Sequence, residues 1–183
     1  ARMEFGNKPV DGGFLLLSMH EVKSLALNSA EYSRLIRRIY GSAEFIRGLC
    51  RYVLWIKDAA LEDAKKLPGI AERIQGVRSV RLASPDKGAN AMASRSHQMR
   101  EMNIGERWTL TVPRTSSENR VYLPNGLIDR HSTVTSEAFA LYDAPLYNMA
   151  LIASRLHIVW IATVCGKMKN DFRYSNTLGW NTF

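Results

Sequence analysis

The chain has 183 residues, enough to bury a sizeable core as one domain or as one domain with two lobes. Hydrophobic residues make up 46% and charged residues 23%, a globular composition that excludes intrinsic disorder. The net charge of +8 favours an anionic partner, of which nucleic acid is the most common.

Helix and strand signals alternate in the first half of the chain. Residues 14–17 predict a strand, and Ser18 with Glu21 forms a capping box that begins a helix. Apolar residues at helical spacing predict a further helix over residues 30–40. Its arginines either meet phosphates or form a solvated face, and the spacing leaves both open.

Two strands and another helix are predicted next. Residues 45–46 and 51–56 are predicted strands, the second apolar on both faces like a buried central strand. The following helix places Arg81 away from its buried face, which is marked by Ile70, Ile74 and Val77.

Residues 84–107 have neither a helical nor a strand period. We therefore predict a long central loop there, functional or flexible, whose arginines favour a DNA backbone.

Strand signals return after this segment. Alternating apolar residues predict a strand over residues 108–112, and residues 121–123 and 127–128 predict two more around the turn Asn125-Gly126. With no steady strand–helix–strand rhythm, the fold class is α+β: a mixed, mainly antiparallel twisted sheet with packed helices.

The last third joins an apolar helix to a charged segment. Asp143 is predicted to cap a helix that has Pro145 in its first turn, runs to about residue 164 and ends at a left-handed Gly166. The longest apolar run, residues 146–165, contains Arg155, and a central arginine costs about 2.5–3.5 kcal/mol for membrane insertion. We expect no transmembrane helix and no membrane partner.

Charged residues alternate with apolar ones after Gly166. In an extended strand, one face would carry the charges and the other the apolar side chains. The charges are Lys167, Lys169, Asp171 and Arg173, and the apolar residues are Met168, Phe172 and Tyr174. The pattern predicts either a ribbon that presents charges to a polar partner or a solvated edge strand.

This terminal segment resembles the target-recognition domain of MmeI-like (type IIL) restriction–modification enzymes. The resembling motifs are S-R-L-H-x-x-W, C-G-K-M-K-x-D-F-R-Y-S and N-T-F. Further matches lie at residues 5–7, 11–13, 51–56, 112–113, 116–120 and 122–124, so the resemblance covers nearly all of residues 1–183. Because the chain begins at Ala1 and ends inside a motif, we expect it to be a piece of a longer protein.

The resemblance implies a bacterial, cytoplasmic parent that joins a nuclease, an adenine-N6 DNA methyltransferase and a DNA-reading domain. S-adenosylmethionine would then bind the methyltransferase domain and Mg²⁺ the nuclease domain, with no cofactor in this piece. Cys50 and Cys165 lie in apolar runs, which predicts two buried thiols in a reducing compartment.

No catalytic motif is visible in the chain. Residues 143–147 resemble an adenine-methyltransferase motif superficially but lack its two prolines, and no glycine-rich turn follows a strand. The four histidines lie too far apart to indicate zinc. We therefore predict that this piece is not an enzyme and holds no metal.

Base reading is the chemistry that the terminal charges favour. Guanine presents two acceptors in the major groove and its cytosine partner presents a donor. Lys169 can donate to the first and Asp171 can accept from the second, and the resemblance implies base-reading side chains at this position. We expect Lys167 and Arg173 to hold nearby phosphates; the alternative is a surface ion pair of little energetic value.

A second candidate is the connection at residues 114–120. Its hydroxyls and flanking arginines are common phosphate ligands, namely Arg114, Ser116, Ser117 and Arg120. The alternative is a turn whose hydroxyls satisfy local backbone groups. Arg155 and Asn176 are weaker candidates for DNA contacts.

The sequence thus predicts a double-stranded DNA recognition domain that directs a methyltransferase domain of the same parent chain. The rival is a basic protein-interaction module without DNA sequence preference.

Overall fold

A computed structural model describes the whole chain, residues 1–183. The strands are β1 (Glu4–Phe5), β2 (Leu16–Leu17), β3 (Ile36–Tyr40), β4 (Tyr52–Leu54), β5 (Trp108–Pro113), β6 (Thr115–Ser116), β7 (Gly126–Asp129), β8 (Ser132–Val134), β9 (Ala138–Tyr142), β10 (Gly166–Met168) and β11 (Asp171–Arg173). The helices are α1 (Met19–Ser24), α2 (Ser29–Leu35), α3 (Ser42–Arg47), α4 (Leu61–Lys65), α5 (Pro68–Leu82), α6 (Lys87–Ala91), α7 (Tyr147–Ile152) and α8 (Arg155–Val164). Short 3₁₀ helices span Asp58–Ala60 and Met92–Arg95, and a π-helical turn spans Asn176–Trp180.

The chain forms two compact units. Unit 1 comprises Ala1–Gly6, Tyr40–Leu49 and Asn103–Phe183, and unit 2 comprises Asn7–Ile39 and Cys50–Met102. The prediction of a mixed helix-and-strand fold with mainly antiparallel sheets is confirmed. None of the helices is both long and apolar enough to cross a membrane.

Unit 1 is built on the four-stranded antiparallel sheet β1-β9-β5-β7. Strands β9 and β5 are its two central strands, and β5 is the strand predicted from alternating residues, with Leu110 and Val112 facing the core. The same core takes Ile152 from α7, Ile161 from α8 and Phe172 from β11. Burial of each such side chain stabilises the fold by about 1.5–3 kcal/mol.

A second antiparallel sheet in unit 1 has the order β10-β11-β6. Strands β10 and β11 form a hairpin in which Met168 is paired with Asp171. Lys169 occupies the turn at a left-handed φ of 58°. On the other side of β11, Phe172 pairs with Ser116 and Arg173 with Thr115, so the hairpin is joined to the connection after β5.

Unit 2 contains the antiparallel strands β2 and β4, residues 36–39 of β3 and the long helix α5. The Ser18–Glu21 capping box begins α1 as predicted. The face of α5 marked by Ile70, Ile74 and Val77 is buried. Arg81 is also fully buried, although its position in the helical pattern predicts exposure.

The buried Arg81 guanidinium makes five hydrogen bonds, all to main-chain carbonyls. Its acceptors are the oxygens of Pro9, Val10, Met92, Arg95 and Gln98, at 2.7–3.0 Å. One side chain therefore connects the start of unit 2 to the segment that follows α5.

Several local predictions for residues 30–123 are wrong. The helix predicted over residues 30–40 ends at Leu35, because residues 36–40 pair as a strand with β4. Residues 45–46 lie in α3, and residues 121–123 form no strand. The predicted loop of residues 84–107 contains α6 and a 3₁₀ helix, and Arg81 bonds to the carbonyls of that segment. Cys50 is exposed rather than buried.

Predictions around residues 143–166 also need correction. Asp143 caps no helix: at a φ of 49°, its carboxylate accepts from the backbone N–H groups of Glu106, Arg107 and Trp108. Burial opposes its ionisation, but these three donors lower the pKa of Asp143 overall. The single predicted helix is two, because the Ser154 hydroxyl accepts from His157 N and begins α8. Gly166 is extended and lies in β10.

Candidate nucleic-acid interface

A concavity of about 550 Å³ opens on unit 1 where three parts of the chain meet. Helix α3 lies on one side, the connection that begins with β6 on another, and the β10–β11 hairpin on a third. Its lining residues are Ser42, Ala43, Ile46, Arg47, Arg114, Thr115, Ser116, Ser117, Arg120, Glu137, Met168, Asp171 and Arg173. Arginines and hydroxyls dominate, so we name it the arginine groove.

Three arginines of this groove lack ionic partners. Arg47, Arg120 and Arg173 are exposed and form no ion pair, even though Glu137 and Asp171 line the same groove. Unneutralised guanidinium groups around one concavity attract anions, and their planar forks suit phosphate oxygens.

Arg114 is fixed in place by the protein itself. Its backbone N–H donates to Ser42 Oγ at 3.1 Å, and its Nη1 donates to the Ser136 carbonyl at 3.0 Å. Its guanidinium also lies over the Phe5 and Phe139 rings, 5.1 and 5.8 Å from their centroids. Arg114 therefore supplies positive charge to the groove from a rigid position.

The two predicted serines differ in their surroundings. Ser116 belongs to β6 and is buried, and its Oγ has no hydrogen-bond partner. Ser117 is half-buried, and its Oγ accepts from the Asn119 backbone N–H at 3.3 Å. Ser117 therefore satisfies a local backbone group, as the alternative interpretation of this connection as a turn predicts.

The predicted single face of four charges is wrong, because the segment folds as a hairpin. Asp171 and Arg173 share a face of β11 and both line the groove. Lys167 lies on β10 opposite Phe172, on the other face; its Nζ is 3.4 Å from Glu118 Oε2 and 5.8 Å from the Phe172 ring centroid. Lys169 lies in the exposed turn, separated from Asp171 by one residue.

Arg155 and Asn176 lie outside the arginine groove. Arg155 is exposed as the first residue of α8. Asn176 is half-buried, and its Nδ2 donates to the Met3 carbonyl at 3.1 Å, a structural contact.

The contribution of α3 to the groove was not predicted from the sequence. Arg47 lies in the last turn of this helix, which ends at Gly48 with a φ of 67°, and Ser42 lies in its first turn. Assigning residues 45–46 to a strand hid this site. The available signal for a helix start was Glu44, three residues after Gly41. In the structure its side chain accepts from the Gly41 backbone N–H at 3.0 Å.

Beneath the hairpin, the aromatic end of the core holds the buried His157. Its Nε2 and the Tyr174 hydroxyl share a hydrogen bond of 3.0 Å, while Nδ1 has no partner. The Tyr174 and Phe183 rings contact its imidazole at centroid distances of 5.6 and 4.5 Å. Burial lowers the pKa of His157 from 6.5 to about 4 and raises the pKa of Tyr174.

This lowered pKa predicts a pH-dependent stability. Between pH 6.5 and about pH 4 the unfolded chain takes up a proton at His157 that the folded chain does not. The stabilisation is complete above pH 6.5 and falls by about 2–3 kcal/mol as the pH drops to about 4. Urea unfolding across this range should show that the free energy of unfolding of the wild type falls as the pH drops, and that the fall is smaller in His157→Gln. The exposed His20→Gln control should keep it, and an unchanged slope in His157→Gln would contradict the assignment.

No group of three or more His, Cys, Asp or Glu side chains is arranged to hold a metal ion. The arginine groove also contains no histidine or cysteine. Its arrangement of cations and hydroxyls suits the binding of an anion.

Comparisons with known proteins match this architecture. The family model described as "MmeI, target recognition domain" matches residues 1–183. The chain is 37% identical over 182 residues to "DNA methyltransferase A" of Bacillus subtilis (strain 168), covering 100% of this chain and 21% of that protein. The solved structure of the type IIL restriction–modification enzyme MmeI in complex with DNA matches with a TM-score of 0.92 at 31% identity, covering 100% of this chain and 24% of that one. The chain therefore spans roughly a quarter or less of either relative. It belongs to the MmeI target recognition domain family.

Proposed function

We propose that this chain binds double-stranded DNA at a specific sequence and directs an adenine-N6 DNA methyltransferase, with a fused restriction endonuclease, to that site. The observation that carries the proposal is the arginine groove beside an exposed hairpin. The solved MmeI structure, a complex with DNA, supports it by similarity.

Affinity would come from the groove. Arg47, Arg120 and Arg173 have no ion-pair partner to give up, so a phosphodiester oxygen can bind them without breaking an internal salt bridge. Each phosphate neutralised in this way releases condensed counterions and makes binding depend on salt concentration.

Sequence choice would come from the hairpin. The major groove of B-DNA is about 12 Å wide and admits a two-stranded β-ribbon, and the tip of the β10–β11 hairpin, beyond the residues of β11 that pair with β6, has this shape. Lys169 at the tip can donate to guanine O6 and N7, and Asp171 at the groove edge can accept from cytosine N4. A hairpin brings these two side chains to the leading end of the ribbon, which a single edge strand would not do.

The remaining chemistry belongs to the parent protein. We expect S-adenosylmethionine in its methyltransferase domain and Mg²⁺ in its nuclease domain, in a bacterial cytoplasm. There the recognition domain would hold the duplex while the target adenine is flipped into the catalytic domain.

A salt series on duplex oligonucleotides tests the proposal. Log affinity should fall linearly with log salt, and Arg173→Gln or Arg120→Gln should each make the slope shallower by about one. Arg155→Gln removes the same charge outside the groove and should alter the slope less. A wild-type affinity that barely responds to salt would contradict DNA binding through this groove.

A protein-interaction module remains the second candidate, because α8 presents apolar residues outward. Leu156 is 69% exposed and Val159 is 63% exposed. A docking function predicts a shallow salt dependence and no preference among DNA sequences. Intact DNA after incubation of the purified chain with Mg²⁺ would exclude a nuclease activity of the chain itself.

A further inference from the structure

We infer that unit 2 carries a second anion site, a pocket for a phosphate group formed by Lys8, Arg95 and Arg100. The three side chains line a cavity of about 480 Å³ made entirely from unit 2. They come from two distant segments of the chain, one before β2 and one after α6. We call this cavity the unit 2 pocket.

Two of the three cations that line this pocket, Lys8 and Arg95, have no ion-pair partner. Lys8 is exposed and forms no ion pair, and Arg95 donates only to the Arg100 carbonyl, at 2.7 Å. Arg100 is ion-paired with Glu101 at 3.2 Å, and the other oxygen of that carboxylate accepts from the Lys8 backbone N–H at 3.0 Å. The acidic residue that lines the pocket, Asp86, turns its Oδ1 to the Gly88 backbone N–H at 2.7 Å.

The buried Arg81 adds positive charge to the same region, and none of its hydrogen bonds goes to a carboxylate. All five of its hydrogen bonds go to carbonyl groups, and one of these belongs to Arg95. Burial and the nearby Arg95 charge lower the pKa of Arg81, and the Asp11 carboxylate offsets part of that effect. The Arg81 guanidinium does not line the pocket, but an anion bound at Arg95 would offset its repulsion with that neighbour.

The pocket is preorganised. Val10, one of its lining residues, has a φ of 48°, which strains a β-branched residue. The Val10 carbonyl accepts from Arg81 Nε at 2.8 Å, and the Lys8 carbonyl accepts from the Arg100 N–H at 2.8 Å. These contacts fix both cation-bearing segments before any ligand arrives, so little ordering entropy is lost on binding.

A phosphate group fits this chemistry, because arginine forks and a lysine ammonium bind its oxygens well. Its source is either a DNA backbone phosphate or a free phosphate-bearing molecule. The DNA source rests on the proposed function. The pocket itself does not, because a phosphate ion can be tested without DNA.

Titration with inorganic phosphate at constant ionic strength tests the pocket directly. The melting temperature of the wild-type chain should rise with phosphate, and Lys8→Gln should remove most of that rise. Arg95→Gln is a second variant with the same expected loss. Lys57→Gln and Arg78→Gln remove exposed charges of unit 2 outside the pocket and should keep the wild-type response.

DNA binding then identifies the source of the phosphate. If it is the DNA backbone, Lys8→Gln should make the log–log salt slope shallower by about one, with an unchanged preferred sequence. A phosphate response combined with a wild-type slope assigns the pocket to a free phosphate compound. If the folded variants match wild type in both measurements, the pocket is not an anion site. Failure of the proposed function is a separate result. It would appear as a wild-type chain that shows no sequence preference in DNA binding, regardless of how its melting temperature responds to phosphate.

Discussion

Exchanging Lys169 and Asp171 for one another is expected to change the preferred base pair at one position of the DNA site. Each base contact contributes about 1–3 kcal/mol of discrimination, a factor of roughly 5 to 150 in relative affinity. The double variant should fold, because both side chains are exposed and aspartate tolerates the left-handed φ of 58° at position 169. Selection from randomised duplexes measures the change, with preference at the other positions retained.

The matched control exchanges the ion-paired Lys167 and Glu118. It reverses two charges of the same region while keeping their 3.4 Å pair. We expect this control to leave the preferred sequence unchanged. A Lys169–Asp171 exchange that selects the original sequence with the original preference would refute base reading by these residues.

Replacing Arg81 by methionine is expected to destabilise unit 2 more than any exposed substitution. The change leaves five carbonyl acceptors without their donor, and each buried unsatisfied polar group costs about 1–3 kcal/mol. We expect a loss of roughly 4 kcal/mol or more, which lowers the melting temperature by about 8–16 °C in a protein of this size. Thermal and urea unfolding measure it.

Arg78→Met on the same helix is the control for this prediction. Arg78 is exposed, so its replacement should change the free energy of unfolding by no more than about 0.5 kcal/mol. Equal stabilities of the Arg78→Met and Arg81→Met variants would show that the carbonyl cluster does not need its guanidinium. Arg81→Lys should also be unstable, since an ammonium donates from one point and cannot reach five acceptors.

The sequence predicted those elements whose pattern is decided locally. Strand β5 alternates cleanly, α5 keeps a helical apolar face, and Ser18 with Glu21 closes a capping box. The helix prediction for residues 36–40 failed because pairing with β4 overrides the helical spacing of their apolar side chains. The prediction for the segment after residue 84 failed because hydrogen bonds from the buried Arg81 side chain to its carbonyls order it, and no local period in the sequence shows these contacts.

Only the part of the candidate site that is contiguous in sequence was predicted. The connection containing Ser116, Ser117 and Arg120 was identified because hydroxyls and arginines are adjacent in sequence. Arg47 was not, because only the folded chain brings α3 beside β11. The hairpin turn was also missed, since Lys169-Asn170 contains no glycine to mark it, and a run of alternating charges reads equally well as one strand.

The pairing of Ser116 with Phe172 has a mechanical consequence. Backbone pairing joins the arginine-bearing connection to the hairpin, and the buried Phe172 side chain packs both onto one core, so we expect the two to move together. A duplex whose bases do not match the tip of the β10–β11 hairpin would therefore also hold its phosphates farther from the arginine groove. Mismatched sequences would then lose arginine–phosphate contacts as well as base contacts. Discrimination between matched and mismatched sequences should therefore increase at low ionic strength, where the arginine–phosphate attraction is strongest.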